Sequence, residues 1–167
     1  PYNLGLDDLL FQYGTRLNQD VVQDLVSLRY PVVTGQVNGN PQITAIEWPF
    51  FPMVNQYAAH PVTRNLDATM LRFAASLDTV KAAGIRKTPL LFTSRYSRRV
   101  NAPLKININD LRKEINPQNF STPSIPVAYL LEGRFSSLFE NRFLPDGVDS
   151  AGRRNLGDPA RVVVFAD

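Results

Sequence analysis

The feature that most constrains the fold is the stretch 127–131. It holds five consecutive apolar residues, Val127, Ala128, Tyr129, Leu130 and Leu131, preceded by Pro126. A short continuous apolar run bounded by turn signals is the pattern of a strand buried on both faces, as in a parallel sheet with helices on each side. The run stops at Glu132, Gly133 and Arg134, a charged turn, after which Ser136 or Ser137 can cap a short helix. The same grammar appears twice more: 89–93 runs into Ser94, Arg95 and Tyr96, and 161–166 runs into Asp167. The expected architecture is a single α/β domain over 1–167: an open, mostly parallel sheet with helices on both faces and these three strands as neighbours or near neighbours.

That topology carries a site with it. Parallel strands all end on one edge, and open α/β sheets place their ligand crevices there. Ser94, Arg95, Tyr96, Glu132, Arg134 and Asp167 are therefore expected to converge as a ligand-binding edge. Tyr96 offers a face for a sugar ring, and Arg95 and Arg134 offer forked donors. Glu132 and Asp167 would accept hydrogen bonds from hydroxyls. The plainer alternative is that Glu132 and Arg134 end a strand and pair with each other or with solvent.

The remaining chain reads as packing and connection. Leu6, Leu9, Leu10 and Tyr13 fall on one face of a helix, with Asp7 and Asp8 in its first turn and Gly14 as its stop. The stretch 16–28 fits either a strand and turn or a second helix. Asn38-Gly39 between the β-rich runs 31–37 and 42–48 signals a hairpin, an antiparallel insertion in the sheet. Phe50, Phe51 and Met53, set among prolines, read as core rather than as an exposed aromatic patch. His60, the single histidine, reads as a cap or loop residue before a helical turn over 61–66. Stretches 70–76 and 104–108 alternate as half-exposed strands. Asn109 or Asp110 can cap a turn running to Ile115, and 146–159, with mixed charge and glycines, reads as a flexible loop.

Composition and motifs narrow the function. A net charge of +3 over 167 residues shows no basic stripe of the kind that binds nucleic acid. With no cysteine, thiolate nucleophiles, disulfides and cysteine metal sites are excluded. No phosphate loop, dinucleotide fingerprint or nucleophile elbow occurs, so no nucleotide cofactor is expected, and no metal-ligand spacing stands out. Glu132 and Asp167, as paired strand-end carboxylates, leave open a hydrolase. A purely structural scaffold is the third reading. A start at Pro1 without methionine and an end on an apolar strand are expected of a piece of a longer protein.

Several blocks carry a family likeness. They include Leu6, Asp7, Asp8, Leu9, Leu10, Phe11, Gln12, Tyr13 and Gly14, the run from Asn18 to Leu25, and Pro31 to Gly35. Others are His60 to Leu66, Ser94 to Arg98, and above all Leu130 to Arg142. In this order they resemble the GldG family of gliding-motility proteins. The resemblance implies an auxiliary, membrane-anchored component of an ABC-transporter complex. The chain would be a C-terminal portion of its extracytoplasmic (periplasmic) domain, in an inner-membrane protein. It implies a flavodoxin-like or class I glutamine-amidotransferase-like fold without the catalytic apparatus, the ATP-binding and permease subunits as partners, and polysaccharide as a ligand.

Overall fold

The central strand has antiparallel neighbours on both sides. In this computed structural model, which describes residues 5–140 and 154–167, the apolar run lies in a long strand flanked by the two other expected strands. The elements in chain order are α1 (Asp7–Tyr13), β1 (Thr15–Leu17), β2 (Asp20–Asp24), β3 (Ser27–Val37), β4 (Asn40–Val54) and β5 (Gln56–Tyr57). They continue as β6 (Thr69–Met70), β7 (Leu77–Thr79), β8 (Ile85–Phe92), β9 (Ser97–Asn101), β10 (Pro126–Ser136) and β11 (Leu156–Phe165). The main sheet has the order β11-β10-β8-β5, and smaller sheets pair β1 with β7, β2 with β9, and β3 with β4 and β6. Every pairing among the described residues is antiparallel.

The α/β expectation is thus overturned, although 89–93, 127–131 and 161–166 do lie largely in three adjacent strands. Parallel neighbours need a crossover of about a dozen residues or more, usually a helix. Among the described residues the one α-helix is α1, seven residues long and far from these strands in sequence. The continuous apolar run has a different cause. Leu130 and Ala128 enter a core with Val22, Val54, Leu71, Leu90 and Ile125, while Tyr129, Leu131 and Phe135 enter a second core with Leu77, Val164 and Ala166. Leu10 and Tyr13 of α1 pack against the second core, and Tyr13 meets Phe135 with ring centroids 4.4 Å apart. The sheet is buried on both faces by strands, loops and one helix face rather than by helices on each side.

Local readings fared unevenly. The helix and its stop are where expected: Gly14 sits at φ 98°, and its N–H bonds back to the last turn. Asn38 and Gly39 at φ 51° and 80° make the hairpin turn that joins β3 to β4. Stretch 16–28 resolves into strands. Stretch 70–76 is mostly irregular: Phe73 takes φ 54° and seats its ring against Trp48, Phe50 and Phe51, three buried aromatics of a third core. Stretch 104–108 is no strand. Ile106 packs on the third core, and a 3-10 turn, Ile108–Arg112, follows, capped by Asn107 rather than by Asn109 or Asp110. β10 runs on through Ser136, and Ser137 caps a turn over 138–140 in place of a helix, its Oγ accepting from the Phe139 N–H at 3.2 Å. The expected loop 146–159 lies partly outside the described residues, and 156–159 belongs to β11.

Candidate functional site

Antiparallel pairing separates the six expected site residues. Ala128 of β10 faces Phe165, and Glu132 faces Arg161, so β11 runs back along β10. Asp167, six residues beyond Arg161, therefore lies about 20 Å from Glu132 at strand rise. Pro126 faces Phe92, which puts Ser94, Arg95 and Tyr96 at the Pro126 end as well. Glu132 and Arg134 sit at one end of the sheet; Ser94, Arg95, Tyr96 and Asp167 flank the other. The single convergent edge does not form, because it required parallel strands.

At the first end, Glu132 is held between two arginines from neighbouring strands. It lies directly opposite Arg86 of β8 and Arg161 of β11. Arg86 donates to Oε2 through Nε at 3.0 Å and through a terminal nitrogen at shorter range, and Arg161 Nε donates to Oε1 at 3.0 Å. The Glu132 side chain is 14% exposed while the side chains of Arg86 and Arg161 are 72% and 79% exposed. The hydrogen bond from Arg86, with a weaker one from Arg161, holds its carboxyl below the usual glutamate range, against a raise from desolvation that is smaller than the Arg86 effect alone. Arg134 does not pair with Glu132. Its Nε donates to the Gly157 carbonyl at 3.3 Å, and a terminal nitrogen lies 3.8 Å from Asp158. Between them Gly133, at φ 152°, lets the Gly84 turn close in: a Cβ there would stand 2.2 Å from the Gly84 carbonyl oxygen.

At the other end, Ser94 is occupied from within. It is 7% exposed, its N–H donates to Asp24 Oδ2 at 2.6 Å, and its hydroxyl donates to Asp24 Oδ1 at 2.6 Å. Asp24, itself 1% exposed, also accepts from the Val26 N–H at 2.8 Å. Asp20 grips Ser76 in the same way at the start of β2, accepting from its N–H at 2.8 Å and its hydroxyl at 2.6 Å. These two aspartates escaped the sequence reading. The one available signal was their placement at both ends of a short apolar strand. Tyr96 remains 43% exposed, with the Arg95 guanidinium 4.6 Å from its ring centroid and donating to its hydroxyl. Asp167 accepts from the Arg72 N–H at 2.5 Å.

Carboxylates that act as a glycosidase pair stand roughly 5–10 Å apart; Glu132 and Asp167 are about twice that or more by strand rise. His60 Nδ1 accepts from the Val62 N–H at 3.2 Å, and its carbonyl accepts from the Thr63 and Arg64 N–H groups, so it caps its turn as its sequence context suggests. A shallow cleft of about 270 Å³ lies over Ala58, His60, Thr63 and Arg64, and another of about 510 Å³ over Phe11, Gln12, Lys81 and Leu138. Neither contains Glu132 or Asp167. Among the described residues no cluster of three or more histidine or carboxylate ligands forms a metal site, and no helix is long and apolar enough to cross a membrane.

Among known families, the model for an ABC-type uncharacterized transport system matches residues 1–167, the whole chain. No curated protein and no solved structure matches the chain.

Proposed function

The chain belongs to the auxiliary-component family of ABC-type transport systems, and from that premise we propose that it acts without catalysis, by contact with a partner. Membership implies association with ABC-transporter components. In our reading it is an extracytoplasmic part of a membrane-anchored auxiliary subunit, and the contact is with the ATP-binding and permease subunits' assembly. The GldG resemblance supports that location and a gliding-motility type of system.

The observation that carries the non-catalytic reading is the state of the two candidate carboxylates. Glu132 is neutralised by Arg86 and Arg161, Asp167 is engaged by a backbone N–H, and they lie at opposite ends of the sheet. A carboxyl held below the usual range is a poor general acid at neutral pH. The test is a panel of polysaccharides incubated with the domain, with reducing ends measured. No release is expected; release that Glu132→Gln abolishes would overturn the reading.

Polysaccharide binding is a second reading, favoured by one observation. Tyr96 is exposed with an arginine stacked on it, an arrangement that presents ring and guanidinium together. Glycan binding that Tyr96→Ala weakens would support it, and binding unaffected by that change would place the ligand elsewhere.

A further inference from the structure

The β3–β4 hairpin carries a long arm that the sites above leave unused. Residues 31–46 contain no Asp, Glu, Lys, Arg or His, in a chain that is 20% charged. The Arg29–Glu47 pair, opposed in register and 3.5 Å apart, marks the boundary. Below it, Trp48, Phe50 and Phe51 are buried; just beyond it Val32 still lies in the third core with Ile46 against it, and further out β4 is exposed at every residue from Asn40 to Ala45. Ile43 is 64% exposed and Val37 56%.

The register sorts the arm's side chains. Ala45, Ile43 and Pro41 alternate onto one face of β4, and Pro31 and Val33 stand opposite Ala45 and Ile43 on the same face. Val37 lies opposite Asn40, on the other face near the tip. Both faces of the distal arm thus offer apolar groups. The edges do not invite strand addition, since Pro31 in β3 and Pro41 in β4 each remove a ladder donor.

We propose that this arm is a docking element that seats in an uncharged groove of a transporter subunit, apolar where it meets Ile43 and Val37 and polar where it meets Asn38, Asn40 and Gln42. The lack of charge over 16 residues fits a groove without charge, because a charged wall would be desolvated against the arm with nothing to pair it. A second copy is the poorer fit. Five small apolar side chains on one face, Pro31, Val33, Pro41, Ile43 and Ala45, at on the order of 100 Å² each, fall short of the ~800 Å² per partner of a stable interface. A groove takes in both faces and the tip. A bilayer is the poorer fit as well, because an arm that rests in a membrane interface carries basic or aromatic anchors. Between 31 and 46 there are none.

The partner's identity rests on the proposed function; the docking element itself rests on the arm. The test uses the full-length membrane protein, purified in mild detergent with its transporter subunits identified, as wild type and as Ile43→Asp, Val37→Asp and the double variant. Both side chains are exposed, so Tm should be unchanged. Recovery of transporter subunits should fall about tenfold or more in the double variant, the scale of losing central apolar anchors. A photo-crosslinking residue at Ile43 should give an adduct with a transporter subunit. Undiminished recovery, or an adduct only with lipid or with a second copy, overturns the arm and leaves the proposed function standing. Wild type that recovers no subunit overturns both.

Discussion

Ser94 gives both its N–H and its hydroxyl to the buried Asp24 carboxylate, each at 2.6 Å. The loop after β8 is thereby fixed to the end of β2, and Ser94 serves the fold rather than a ligand. The same pattern at Asp20 and Ser76 fixes the other end of β2 to the start of β7. Asp24→Ala leaves three donors without their acceptor in a dry site. The expected loss is roughly 2–4 kcal/mol, read as a lower urea midpoint with an unchanged slope.

Ser94→Ala should cost less than Asp24→Ala. It removes the hydroxyl's bond to Asp24 and the bond that Ser94 Oγ accepts from the Tyr96 N–H at 3.0 Å, but keeps the backbone contact. A loss of about 1–2 kcal/mol is expected by the same urea measurement. A loss as large as that of Asp24→Ala would mean that the hydroxyl, not the carboxylate, organises the loop.

Glu132 predicts a pH dependence of definite sign. Its folded carboxyl titrates below the ordinary glutamate value of 4.5, with the Arg86 hydrogen bond the leading cause and the Arg161 hydrogen bond adding to it against desolvation. A depressed folded value means a stabilising contribution that is complete above the unfolded value and disappears as pH falls through the folded one. Wild type should therefore lose more Tm than Glu132→Gln between neutral pH and the acid side of the carboxylate range. Parallel pH profiles for the two proteins would show that the arginine ladder adds nothing to stability.

Gly133→Ala forces a Cβ to 2.2 Å from the Gly84 backbone oxygen at φ 152°, a conformation that side chains avoid. Neither group is the far end of a flexible side chain, so β10 or the Gly84 turn must move. A destabilisation of about 2–4 kcal/mol is expected, measured by denaturant unfolding. Gly39→Ala is the comparison: its Cβ would meet nothing within 4 Å, so only the strain at φ 80° is added.

How far the sequence revealed the molecule depended on the range of the forces involved. The helix α1 with its Gly14 stop and the Asn38-Gly39 turn were legible because neighbouring residues decide them, although of the expected helix face only Leu10 and Tyr13 reach the core and Leu6 stays exposed. The adjacency of the three apolar strands followed from their burial. Their direction did not, because burial on both faces looks the same whether helices or other strands supply the cover; here Val22, Val54 and Leu71 cover one face and Leu77 with α1 the other. One wrong direction then misplaced the site, sending Glu132 and Asp167 to opposite ends. The partners of Glu132 lay 46 and 29 residues away, where no local pattern points. Gly133 and Arg134 looked like a turn because a strand-interior glycine is unusual, and the close approach of the Gly84 turn explains it.

The central claim is that this chain works by association within an ABC-transport complex. It is tested most directly by purifying the full-length protein from native membranes in mild detergent and identifying what stays bound. The account predicts the permease and ATP-binding subunits of one transporter in fixed proportion, retained alike by wild type, Glu132→Gln and Asp167→Asn. A full-length protein that purifies alone, or whose association requires either carboxylate, would contradict it.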